Sequence, residues 1–239
     1  MANLNDEDLM RGIIWDKLSI ILLIDVSRSM MEERIAQVNQ AMPILLRELK
    51  QLKADEHALI QLRALTFSDQ TSWWIGNTEQ SIALENVRWH GLVCDSHKGT
   101  RIDLAVLQAE LALRFDQRKD NSASFFPLVI LITDGKSRPG SHSDYLNAVA
   151  LLKSRLARFR RRVSKTSRFA VGVGDYEEGL LREFAASEHG ELVFPLKAVE
   201  CIRGLIDIRP DDSLDDFPND IQDDSIAVFP VGEYPGSLL

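Results

Sequence analysis

Apolar positions change their spacing repeatedly along the chain, and each change predicts an element. KLSIILLI, residues 17–24, is an unbroken apolar run of the kind shown by a strand buried on both faces. From 32 to 53, Ile35, Val38, Met42, Leu45, Leu46, Leu49 and Leu52 recur every three or four residues, which predicts an amphipathic helix kinked at Pro43. HALIQLRALTF, 57–67, returns to a two-residue period. TSWWIG and residues 80–90 then read as an edge strand or hairpin on which Trp73, Trp74 and Trp89 pack. Ile102, Leu104, Ala105, Leu107, Leu111 and Leu113 mark a second helix. FFPLVILIT (125–133) is a buried strand, YLNAVALLKSRLARF (145–159) a helix, SRFAVGVG (167–174) a strand and EEGLLREFAAS (177–187) a helix. ELVF (191–194) and AVECIRGLIDI (198–208) close the pattern as strand and helix. Strands alternating with helices of this length predict an α/β fold: a mostly parallel central sheet with one antiparallel edge strand and helices on both faces.

Composition narrows the class. With 239 residues and 45% hydrophobic content, the chain can bury one sizeable core, so one domain with extensions is expected. The boundaries are an N-terminal extension at 1–14, the α/β domain at 15–208 and a C-terminal tail at 209–239. MANLNDEDLM is acidic and lacks an apolar signal region, and no apolar run is long enough to cross a bilayer. Cys94 and Cys201 form no metal-ligand pattern and read as reduced, packed thiols, which makes the cytoplasm the expected compartment.

Nearly all of the formal net charge of −8 falls after residue 208, where pairs such as Asp211-Asp212, Asp215-Asp216 and Asp223-Asp224 face only Arg209. That segment mixes prolines with acidic pairs and shows no helical period, so it reads as an extended tail. The opposite charge gathers in RLARFRRRVSKTSR, 155–168, read as a solvated helix C-terminus rather than a nucleic-acid patch, because no aromatics interleave the cations. A tail carboxylate such as Asp223 or Asp224 could imitate an acidic ligand of the site described next; a solvated tail is the plainer account.

In a parallel sheet, ligands bind beyond the carboxyl ends of the strands where the strand order reverses. Asp25 ends the first strand and Asp134, in LITDGKS, ends the strand of the second half. An order of the 3-2-1-4-5-6 type makes these strands neighbours, so two carboxylates face one crevice and need a cation between them. Ser27 and Ser29 add neutral oxygens. An oxygen-only set suits a hard divalent ion, Mg²⁺ first, with Mn²⁺ or Ca²⁺ also compatible.

These residues carry a resemblance. Asp25-Val26-Ser27-Arg28-Ser29 is similar to the DxSxS motif of von Willebrand factor A domains, the first loop of their metal-ion-dependent adhesion site. Gly99-Thr100 in HKGTRIDLA resembles the family's threonine loop, and Thr133-Asp134-Gly135 its acidic third loop. The resemblance spans about residues 15–208. It implies a Rossmann-like sheet with Mg²⁺ held by Ser27, Ser29 and Thr100, with Asp25 and Asp134 acting mostly through bound water. A partner's acidic side chain then completes the coordination. Within the family, the chain resembles the bacterial tellurium-resistance TerY-like group, on the TDG loop and GVGDYEEGLLREFA. That implies a cytoplasmic regulatory or adaptor role in a stress-response or phage-conflict system, with a protein kinase and a PP2C-type phosphatase as associated partners.

Each residue also has a plain structural reading. Ser27, Ser29 and Thr100 could cap helices, and Asp134-Gly135 could form an ordinary turn. Asp95 and His97, beside the threonine, read as a solvated loop rather than metal ligands. Gly172 and Gly174 are no dinucleotide fingerprint, because Glu177 stands where the third glycine belongs. The alternative function is an Mg²⁺-dependent phosphatase-like hydrolase with Asp25 as nucleophile. That chemistry needs an acid two residues on, and the position holds Ser27, so a non-enzymatic binding module is expected. Asp25, at a loop end, is expected to be replaceable without cost to the core.

Overall fold

The computed structural model describes residues 17–56, 59–95, 99–119, 125–136, 142–158 and 168–185. Its strands are β1 (Lys17–Asp25), β2 (Leu59–Phe67), β3 (Thr71–Ile75), β4 (Ile82–Ala83), β5 (Phe125–Thr133) and β6 (Arg168–Gly172). Its helices are α1 (Glu33–Glu56), α2 (Ile102–Lys119), α3 (His142–Ala157) and α4 (Glu178–Ala185). The strand and helix expected at 191–194 and 198–208, the 1–14 extension and the 209–239 tail lie outside the described residues.

The sheet runs β3-β2-β1-β5-β6, and β1 pairs in parallel with both β2 and β5. Strand order reverses at β1, as the sequence predicts. β6 continues the parallel half beside β5. The antiparallel edge is made of two short pieces: β3 pairs with Ala64–Phe67 of β2, and β4 with Gln61 and Leu62.

β1 alternates its side chains between two cores, which is why it is apolar without a break from Ile20 to Ile24. Leu18, Ile20, Leu22 and Ile24 meet Val38, Met42, Leu45 and Leu49 of α1. Ile21 and Leu23 face the other way, onto α2, α3 and α4. α1 is continuous through Pro43, which is exposed.

Three expectations change. On α2 the buried stripe is Ile102, Ala105, Val106, Ala109, Ala112 and Leu113, whereas Leu107 is 37% exposed. Small alanine side chains let α2 approach the sheet and α3 closely, and the larger leucines flank the contact. Trp73 and Trp89 are half-buried against the two cores, but Trp74, on the outward phase of β3, is 42% exposed. The basic stretch is not uniformly a solvated helix end. Arg155 bonds Glu110 and Gln117 at 2.8 Å each, and Arg168 is buried at the start of β6, donating to the Phe184 carbonyl.

Candidate metal centre

β1 delivers Asp25 to the carboxyl edge of the sheet, opposite Phe67 of β2 in register. The chain then turns through a short 3₁₀ segment, Arg28–Met30, whose Met30 plugs into the α1-side core. Ser27 occupies the N-cap position of that segment, yet its hydroxyl makes no capping bond. It lies 3.1 Å from the Ser29 hydroxyl instead. Two hydroxyls turned toward each other leave lone pairs for a shared ligand, and the plain capping account of Ser27 does not hold.

Asp25 is fully buried and held by two donors: the Ser27 amide at 2.8 Å on Oδ1 and the Thr133 hydroxyl at 2.5 Å on Oδ2. Burial pushes its carboxyl up to about 6, against the lowering effect of those hydrogen bonds, and nearby Asp134 adds to the rise. Asp25 is therefore part of the packed end of the sheet rather than a freely replaceable loop side chain. Removing it strands two buried donors.

β5 brings Asp134 to the same edge, also fully buried. Its Oδ1 accepts the Lys136 amide at 3.0 Å, and its Oδ2 the Arg34 guanidinium at 2.7 Å. Thr133 ties the two strand ends together by donating to Asp25 and accepting from the Gly135 amide at 2.9 Å. Gly135 has φ 70, and a Cβ there would stand 3.1 Å from the Glu177 carbonyl oxygen and Cβ. Gly135→Ala should cost about 1–2 kcal/mol from the left-handed backbone and that contact together. A lower urea midpoint checks it; an unchanged midpoint would mean that the loop relaxes without cost.

Thr100 reaches the edge beside β2. The Arg101 amide donates to the Ser68 carbonyl at 2.6 Å, and the Asp95 amide to the Val26 carbonyl at 2.7 Å, so this segment is fastened to the ends of β1 and β2. Gly99 packs on Asp69 so closely that a Cβ would stand 2.6 Å from the Asp69 Cβ. Thr100 is buried. Asp95 accepts from the Ser68 hydroxyl at 3.1 Å, an anchoring use that the reading as a solvated loop misses. His97 lies outside the described residues.

All five sequence-predicted residues thus stand at the carboxyl ends of three adjacent strands. The two carboxylates also have partners that the sequence pattern does not mark. Thr133 stands out only as the first residue of the TDG loop, and Arg34 gives no local signal, because its role depends on Asp134, 100 residues away. Among the described residues, no cluster of three or more His, Cys, Asp or Glu could hold a metal. A cation placed here would rely on the three hydroxyls and on water, a donor set that suits hard divalent ions. Two fully buried carboxylates, one lifted in pKa by burial, fit such an ion, because a cation between them offsets their desolvation.

Residues 19–207 match the family model of the von Willebrand factor type A domain. Among solved structures, proximal thread matrix protein 1 from the mussel byssus, with a zinc-occupied MIDAS motif, aligns with a TM-score of 0.53 at 19% identity. The alignment covers 80% of this chain and 46% of the mussel protein, so the chain spans about half that relative's length. The manganese-loaded TRAP protein of Plasmodium vivax aligns with a TM-score of 0.51 at 19% identity, covering 80% of this chain and 74% of that one. At these identities the likeness establishes the fold, a mostly parallel sheet flanked by helices. No match was found among curated proteins.

Proposed function

The chain belongs to the von Willebrand factor type A domain family, and from that premise we propose that it is a divalent-metal-dependent protein-binding module. Ser27, Ser29 and Thr100 supply hydroxyl ligands to Mg²⁺, and Asp25 and Asp134 act mostly through bound water. When bound, the cation supplies a positive centre that an acidic side chain of a partner can enter. The single observation carrying this reading is the pair of hydroxyls, Ser27 and Ser29, turned toward each other on the loop that follows the fully buried Asp25. The metal-loaded relatives, one with zinc and one with manganese, support a divalent ion.

Asp25 is a poor candidate for a nucleophile. Each of its oxygens already accepts a hydrogen bond, and the side chain two residues on is the Ser27 hydroxyl, a weak acid or base. We therefore read the protein as a non-enzymatic adaptor. The finer reading is a cytoplasmic regulator of the bacterial TerY-like type, working beside a protein kinase and a PP2C-type phosphatase. Its support is the Thr133-Asp134-Gly135 loop and the 172–185 stretch, which contains α4. Among the described residues, no helix is long and apolar enough to cross a membrane.

A pulldown from the source organism's lysate in Mg²⁺ and in EDTA, identified by mass spectrometry, tests both levels. Thr100→Val is the control, since it removes a hydroxyl and keeps the shape. Proteins retained by the wild type in Mg²⁺ and lost in EDTA and in the variant are the expected result. Equal retention in all arms would refute metal-mediated binding. Retained proteins that include neither a kinase nor a phosphatase would refute only the finer reading.

A further inference from the structure

Arg34, the second residue of α1, turns back over the centre. Its Nη1 donates to Asp134 Oδ2 and to the Ser29 carbonyl, both at 2.7 Å. It also crosses Gly174, where a Cβ would stand 2.6 Å from its Nε. One guanidinium thus joins the hydroxyl loop, the acidic loop and the end of β6, with its side chain only 24% exposed. Resting on the cation site proposed above, we infer that Arg34 is a fixed counter-charge that sets how strongly a bound cation attracts a partner's carboxylate.

The argument is electrostatic. Two carboxylates around a divalent cation would cancel its charge and leave little attraction for a third. Arg34, paired with Asp134, reduces the local charge of the protein groups to a single negative one. A bound divalent cation then leaves a net positive centre. In a partly buried setting such a charge is felt far more than in water. The fork also holds Asp134 in place. With Oδ2 on Arg34 and Oδ1 on the Lys136 amide, both of its oxygens have fixed donors, so this carboxylate is held back from displacing water on the cation. Weaker cation binding is exchanged for stronger capture of an outside acid.

A purely structural Arg34, one that only shapes the loops, has the opposite signature: removing it would loosen the site and weaken cation binding. The sign of the change therefore separates the two. Mn²⁺ affinity is measured on the full chain by electron paramagnetic resonance. Acetate is then titrated into the Mn²⁺-loaded protein at constant ionic strength. Arg34→Gln and Arg34→Met, which remove the charge, should bind Mn²⁺ about ten-fold tighter and acetate about ten-fold more weakly. Arg34→Lys, which keeps it, should stay within about three-fold of wild type for both. Unchanged or weaker Mn²⁺ binding by folded neutral variants would overturn the inference. Where Arg34→Met does not fold, the Gln and Lys pair carries the same comparison. A wild-type protein that binds no Mn²⁺ overturns the cation site itself, whereas wild-type binding with the wrong sign in the variants overturns only the role of Arg34.

Discussion

Arg63→Met should destabilise the protein by about 3–5 kcal/mol, the cost of breaking a buried ion pair by removing one partner. Arg63 lies in the middle of β2 with a fully buried side chain. Its two terminal nitrogens meet the two oxygens of Asp116 on α2, at 2.7 and 2.8 Å, and its Nε donates to the Asn77 carbonyl at 2.9 Å. Ser19 of β1 adds a long bond of 3.4 Å to Asp116. Methionine fills similar volume but leaves the Asp116 carboxylate in an apolar setting with a weak hydroxyl partner and the Asn77 carbonyl unsatisfied. The double variant Arg63→Met/Asp116→Leu should recover most of the loss, because it removes the orphaned charge as well. Urea unfolding of the wild type, both single variants and the double variant measures the coupling. A single variant within about 0.5 kcal/mol of wild type, as for an exposed substitution, would show that this pair is not what fastens α2 to the sheet.

That ion pair also shows where sequence reading stops. HALIQLRALTF has the period of a strand, and Arg63 fits as an outward polar position. Only the parallel pairing with β1 puts that position on a covered face, toward α2. The alanine stripe of α2 has the same lesson. The helical period is visible and Ile102, Ala105 and Leu113 do turn inward, but a scale that ranks leucine above alanine also selects Leu107 and passes over Ala109 and Ala112, where close packing decides.

The candidate centre was far more legible. Asp25 and Asp134 announce themselves by ending apolar runs, and the reversal of strand order at β1 brings them together as that rule requires. The DxSxS spacing marks Ser27 and Ser29, and only the family resemblance marks Thr100. What the sequence hid was the set of groups that hold these residues in place: Thr133 between the strand ends, Ser68 under the threonine segment, and Arg34 on Asp134. Each is an ordinary residue type whose role comes from a partner distant in the chain.

Saturating Mg²⁺ or Mn²⁺ should raise the melting temperature by about 5–10 °C over EDTA. A ligand that binds only the native state stabilises it by about 2.7 kcal/mol at a hundred times its dissociation constant. For a chain of this size each kcal/mol moves the midpoint by about 2–4 °C. The effect should be large here because the Asp25 carboxylate is fully buried with no cationic partner among its hydrogen bonds, and a nearby cation relieves its desolvation. Ser29→Ala and Thr100→Val each remove one proposed ligand while leaving the Asp25 and Asp134 networks in place. Each should lose most of its own Mn²⁺-over-EDTA shift, whatever its melting temperature in EDTA. Asp25→Asn should lose the shift too, and it keeps the shape that Asp25→Ala would not, so the Ser27 amide still has an acceptor. A wild-type shift below about 1 °C at saturating cation would remove the basis for the site. A shift retained in full by Ser29→Ala and Thr100→Val would move the cation to other ligands, since stabilisation by a bound ion must vanish with the oxygens that bind it.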